Sequence, residues 1–153
     1  MFASRWLDLQ LWTMRKAEAL ATRRRGEPGL AAHLATGERG ECEALFYLRK
    51  MGYTVVAHRW KSVKLSGDVD LIAWNGEWLC FIEVKSRSKR GGITAESAVD
   101  KDKQQMLHRM ARAYLKTFPD KLRGNISVRF DVLSVYLLAE GVECELYRGA
   151  FGW

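Results

Sequence analysis

The stretch Gly67–Arg87, GDVDLIAWNGEWLCFIEVKSR, decides the fold, because it holds two apolar runs joined by Asn75-Gly76. Asn-Gly between alternating apolar residues is a strong short-range signal for a β-hairpin. Side chains alternate faces along each strand. With Asn75-Gly76 as the turn, Trp74 is expected to face Glu77, Ile72 to face Leu79, Asp70 to face Phe81 and Asp68 to face Glu83. One side of the ribbon then carries Val69, Leu71, Ala73, Trp78, Cys80, Ile82 and Val84 and is wholly apolar. The other is apolar near the turn but carries Asp68, Asp70, Glu83 and Lys85 towards its open end. Like charges opposite one another destabilise a sheet, and an unpaired charge among apolar residues is expensive. Three carboxylates beside one lysine therefore call for a further cation.

Outward from the hairpin, Tyr53–Trp60 reads as the preceding strand, and residues 36–51 as a helix stopped by Gly52, a suitable residue just past a helix end. After Gly91-Gly92 a long helix is predicted from Asp100 to Thr117. Its apolar stripe is Leu107, Met110, Ala111 and Tyr114, with Lys103 one turn earlier on the same inward face. Pro119 lies just beyond. Asn125–Leu138 reads as a strand around VRFDVLSVYLL, and a turn at Glu140-Gly141 leads to a last short strand through Tyr147. Residues 4–24 have helical spacing, with Ser4 as N-cap, and end in an arginine run before Gly26 and Pro28. This order predicts an α/β fold, a mixed central β-sheet flanked by helices with the hairpin near its middle. The expected division is a basic N-terminal helical extension over residues 1–35 and an α/β domain over residues 36–153.

At 153 residues the chain has enough apolar sequence for a core without disulfide staples. Its three cysteines, Cys42, Cys80 and Cys144, have no metal-binding spacing and read as reduced thiols of a cytoplasmic protein. No run is long enough to span a membrane, and Asp8 and Arg15-Lys16 interrupt any signal peptide. A net charge of +7 and a pI near 9.5 favour a polyanionic partner, nucleic acid above all. The basic residues cluster at Arg23–Arg25, at Arg87, Lys89 and Arg90, and along Lys101, Lys103, Arg109, Arg112 and Lys116. The second cluster follows the acidic hairpin directly, so a negative pocket would have a positive rim; a solvated loop is the plainer reading.

Asp70 and Glu83 are predicted diagonal neighbours, with Cβ atoms about 5 to 8 Å apart. Two such carboxylates suit Mg²⁺ or Mn²⁺, hard cations that take oxygen ligands and keep several waters. Lys85, further along the same face, would hold or deprotonate a metal-bound water. Glu41 precedes Leu45 by one helical turn and Leu48 by two, which places it on the face that packs on the sheet. It points into the same pocket, or it merely complements the helix dipole. The ExK and DxD spacings also have plain readings, an exposed edge and a strand entering from a polar loop. A hydrolase built on a nucleophilic Ser, Cys or His has no supporting spacing at His33, His58 or His108.

Taken together, GERGECEA, GYTVVAHRW, GDVDLIAW, FIEVKSR, KDKQQML, RFDVL and RGAF resemble the YraN-like family of small bacterial proteins over Gly37–Phe151. Members of that family resemble the PD-(D/E)xK nuclease superfamily, including its Holliday-junction resolvase-like branch. The resemblance implies a restriction-endonuclease-like core and a Mg²⁺- or Mn²⁺-dependent endonuclease. Asp70, Glu83 and Lys85 would form the metal site, with the Val84 carbonyl as a further ligand and Glu41 binding or orienting the ion through water. Lys103 and Gln104 would contact a phosphate, and Arg87, Lys89 and Arg90 would guide the backbone, of DNA rather than RNA. Analogy with resolvases that cut symmetric junctions suggests a homodimer. The chain departs from the family at Asp68, where Glu is usual, and at His58-Arg59-Trp60, where Asn-Arg is usual. These departures leave open a non-catalytic nucleic-acid-binding or adaptor module that keeps the fold.

Overall fold

The computed structural model describes residues 30–91 and 97–153, with side chains of the first helix from residue 35 onward. The predicted helix over residues 4–24 and its arginine run lie outside the described residues. In chain order the elements are α1 (Leu30–Lys50), β1 (Thr54–Trp60), β2 (Val69–Asn75), β3 (Trp78–Arg87), α2 (Lys101–Leu115), α3 (Asp120–Arg123), β4 (Ser127–Leu137) and β5 (Val142–Phe151). The strands form one sheet in the order β1-β2-β3-β4-β5. All neighbours are antiparallel except β3 and β4, whose connection carries α2. This is the expected α/β architecture, a mixed sheet flanked by helices and compatible with a restriction-endonuclease-like core.

α1 begins six residues before the predicted start and passes through Gly37 and Gly40. Its end is where the sequence puts it. Gly52 takes a φ of 84°, its N–H donates to the Arg49 carbonyl and that of Tyr53 to the Leu48 carbonyl, the two bonds of a Schellman motif. α2 is capped by Asp100, whose side chain accepts from the Lys103 N–H at 2.8 Å. β5 extends four residues past the predicted Tyr147, because its edge pairs with β4 as far as Phe130–Phe151. The single turn of α3 after Pro119 has no apolar stripe to announce it.

The sheet divides two cores. Leu71, Ala73, Cys80, Ile82, Leu133 and Val135 pack against Ala44 and Leu48 of α1. Ile72, Leu79, Phe81, Phe130 and Val132 pack against Leu107, Met110 and Ala111 of α2. The two predicted faces of the hairpin thus go to different helices, with Val69 the exception: at the start of β2 it joins the α2 core.

The hairpin register differs from the prediction by one pair. Asn75 pairs with Trp78, Trp74 with Leu79 and Ile72 with Phe81, so the turn residues are Gly76 and Glu77. Gly76 has a φ of 58°, and Arg59 is the only described non-glycine residue with a positive φ. Positive φ at the first central position alone fits a II′ turn, which wants Gly there and leaves Asn75 in the strand. The shift is even, so every side chain keeps its face.

Candidate functional site

The β2–β3 ladder is recorded as far as Leu71–Ile82. That register, carried one step further, would set Asp70 opposite Glu83 rather than diagonal to it. The open end of the hairpin lines a pocket of about 300 Å³ with Asp70, Glu83, Val84, Lys85 and Ser86 from the strands and Thr36, Gly37 and Glu41 from α1. Here the strands part, and the Val84 N–H donates to Oδ2 of Asp70 at 2.8 Å instead of to a ladder carbonyl. The N–H and C=O of one strand residue point to the same neighbour, so the Val84 carbonyl lies on that side too.

Glu83 is 4% exposed. Lys85 Nζ lies 3.0 Å from its Oε1, and Lys103 Nζ reaches across from α2 to 3.0 Å from its Oε2. The second contact has ion-pair distance without hydrogen-bond angles, so Oε2 is a buried acceptor with no hydrogen-bond donor. Burial opposes the charge on Lys103, but the field of Glu83 prevails and its pKa stands above the usual value. Asp70 is raised from 3.8 to about 7, first by burial and then by the charge of Glu83, against the Val84 hydrogen bond and Lys103. With the two lysines turned to Glu83, the negative charge at Asp70 remains undercompensated.

Glu41 reaches the rim of this pocket, but its Oε2 is held by Arg59 Nε at 2.6 Å and by His58 Nε2 at 2.9 Å. Arg59 takes a φ of 48° to do so, the left-handed region that costs a non-glycine residue about 1 kcal/mol or more. His58 and Arg59 thus fix the position of Glu41. Nothing in the sequence signals that backbone turn. α1 can come this close because Gly40 lies on Ser86 of β3: an added Cβ would stand 2.8 Å from the Ser86 Cβ.

The other sequence-stated residues divide. Lys103, on the inward face its spacing predicts, reaches Glu83 but is not among the residues lining the pocket. Gln104 donates to the Val99 carbonyl at 2.9 Å, bracing the entry to α2. Arg87 is half-buried at the end of β3, Lys89 is exposed beyond it, and Arg90 pairs with Glu143 of β5 and lies over the Tyr136 ring. Asp68, half-buried before β2, adds its field to those holding Arg59 and Lys103 charged. Among the described residues no group of three His, Cys, Asp or Glu side chains is placed to share an ion. The oxygens here that could hold a cation are those of Asp70, of Glu83 with its undonated Oε2, and the Val84 carbonyl. That set fits an ion of the Mg²⁺ type, which is bound through one or two carboxylates and keeps waters.

A second buried charge, whose partners sequence reasoning missed, lies in RFDVL. Asp131 is fully buried and takes Arg129 Nε at 2.8 Å on Oδ1, Arg129 NH2 at 2.9 Å on Oδ2 and the Gly149 N–H at 2.9 Å. Arg129 also donates to Tyr53 Oη at 3.0 Å. The group ties β4 to β5 and to the end of α1. Beside it the Cys80 thiol is pushed up to about 12 by burial and by Asp131, the reverse of an activated nucleophile.

Residues 40–135 match the model of a family described as uncharacterised protein family UPF0102. The chain belongs to the UPF0102 family. This is the YraN family expected from the seven segments. The chain is 45% identical over 125 residues to a UPF0102 protein of Koribacter versatilis, covering 82% of this chain and 85% of that one. It is 41% identical over 118 residues to one from Solibacter usitatus (75% and 84%) and 34% identical over 122 residues to one from Syntrophus aciditrophicus (80% and 92%). The family description and these names state no activity, so UPF0102 membership fixes kinship and the chemistry rests on the pocket. No helix among the described residues is long and apolar enough to cross a membrane.

Proposed function

We propose that this UPF0102 protein is a cytoplasmic Mg²⁺- or Mn²⁺-dependent phosphodiesterase acting on nucleic acid, an endonuclease with DNA as its substrate. The observation that carries the reading is the meeting of Asp70, Glu83 and Lys85 in one open pocket, with Lys103 paired to Glu83 from α2, on a basic protein. Asp70, Glu83 and the Val84 carbonyl would hold the ion. When bound, the ion supplies a water of lowered pKa and neutralises charge building on a phosphoryl oxygen. Lys85, now paired with Glu83 at 3.0 Å, would orient the attacking water or, as the free amine, take its proton. Lys103, beside the same carboxylate, would meet a phosphate oxygen. Glu41, fixed by Arg59 and His58, accepts from a water at the rim. Arg87 and Lys89 draw in the backbone, giving salt-sensitive and largely sequence-independent affinity.

The test is Asp70→Ala and Glu83→Ala protein assayed on labelled DNA and RNA with Mn²⁺. Loss of cleavage in both is expected, and cleavage equal to the parent's overturns the assignment. A second reading, a non-catalytic nucleic-acid-binding module, is favoured by one observation: both Glu83 oxygens already face lysines. It predicts binding that survives chelator and no thermal shift with Mn²⁺. A bound ion at 100 times its dissociation constant adds about 2.7 kcal/mol.

A further inference from the structure

A second concavity, away from the carboxylates, opens between the β1–β2 loop and the outer face of α2, with a volume of about 680 Å³. Its cations are Lys61, Lys64, Arg109, Arg112 and Lys116, all exposed. No carboxylate lines it, and among the described residues none of these five has one within ion-pair distance. Arg112 stands over the Trp153 ring at 5.5 Å. Arg109, Arg112 and Lys116 follow one another at helical spacings of three and four, so they form one stripe. The apolar lining is Trp60, Leu65 and Ala113, with Val63 at the rim. Trp60 is fixed edge-on against Tyr114 at 5.1 Å, and Val63 is fully exposed.

We propose that this groove takes an unpaired strand of nucleic acid, with phosphates on the α2 stripe and a base against the Trp60 floor. The inference rests on the nucleic-acid reading above and adds the strand state of the substrate. Charge alone would suit any polyanion, and the floor decides between them. A duplex keeps its bases stacked inside and offers a rigid phosphate surface, which would meet the cations and leave the hollow unfilled. A single strand puts phosphates and apolar base faces on the same wall, the combination that binds single strands generally. Arg109 and Lys116 lie six and thirteen residues beyond Lys103, about 9 and 20 Å along the helix. The groove therefore sits a few nucleotides from the carboxylate pocket, and a substrate with an unpaired arm beside its scissile bond would occupy both.

The experiment is fluorescence anisotropy of the full chain in chelator, using a short single-stranded oligonucleotide of mixed sequence and its duplex. The variants are Arg109→Ala with Lys116→Ala, and Arg49→Ala as a control on the helix of the opposite face. The double variant is expected to bind the single strand about tenfold more weakly. Its slope of log affinity against log salt should be shallower by about 1.4, two phosphate contacts at about 0.7 each. The duplex should lose less, and the control nothing. Unchanged single-strand affinity or slope, or an equal loss for the duplex, overturns the proposal. Because no metal is present and nothing is cut, these shifts in a protein that fails to cleave in Mn²⁺ would sink the endonuclease reading and keep the groove. A parent that binds neither nucleic acid sinks both.

Discussion

Replacing Asp70 with asparagine is expected to stabilise the protein at alkaline pH. In the folded state the carboxyl is raised from 3.8 to about 7, by burial first and then by Glu83. A raised acid binds its proton more tightly folded than unfolded, so its contribution is full below about pH 4 and is lost as pH rises through 7. The loss is at most about 4 kcal/mol above that pH, and it belongs to the Asp70–Glu83 pair jointly. Asparagine keeps an oxygen to accept the Val84 N–H, and its amide would face Glu83. Urea denaturation at pH 8 should therefore show Asp70→Asn more stable than the parent by up to about 4 kcal/mol, or on the order of 10 °C in Tm for a chain of this size. At pH 4, where the parent carboxyl is protonated, the two should nearly coincide. Adding Mg²⁺ at pH 8 should raise the parent and narrow the gap. An asparagine variant no more stable than the parent at pH 8 would refute the claim that the site carries uncompensated negative charge.

Gly40→Ala would normally favour a helix by up to about 1 kcal/mol, but here the methyl meets Ser86, so a net loss of about 1 to 2 kcal/mol is expected. Ser86→Gly in a double-mutant cycle should recover most of it, and additive losses would show that the helix does not press on that residue. Asp131→Ala leaves the half-buried Arg129 without its carboxylate and should cost about 3 kcal/mol, whereas Asp131→Leu with Arg129→Met should cost much less; chemical denaturation of the three proteins decides. Leu107→Ala, at a fully buried position between α2 and the sheet, should cost about 2 to 5 kcal/mol by the same measurement.

How much of this was legible in the sequence depends on whether the cause is local. The alternation in Gly67–Arg87 gave both faces of the hairpin, and because side chains repeat every second residue the misplaced turn left Asp70 and Glu83 together. Gly52 and Asp100 announced helix ends through local hydrogen bonds. Lys103 could be placed inward from the spacing of Leu107 and Met110. What could not be read depends on partners distant in the chain. The hold of Arg59 on Glu41 depends on a left-handed backbone that nothing nearby announces, and Gly40 looks like a weak point in a helix until Ser86 lies beneath it. The length of β5 was hidden as well, since its pairing with β4 holds the extra residues. The outer groove was visible only as a basic cluster, because Trp60 and Val63 join it from another element.

The tight bend at Gly76-Glu77 also sets what lengths of chain can be tolerated there. An insertion of two residues lengthens the ribbon's tip and leaves its acids where they are. An insertion of one that is absorbed into the pairing rotates β3 by half a repeat, burying Lys85 against α1 and sending Ile82 to the acid side. Viable length variants at this tip should therefore come in even steps, or carry their odd residue as a bulge that the ladder ignores.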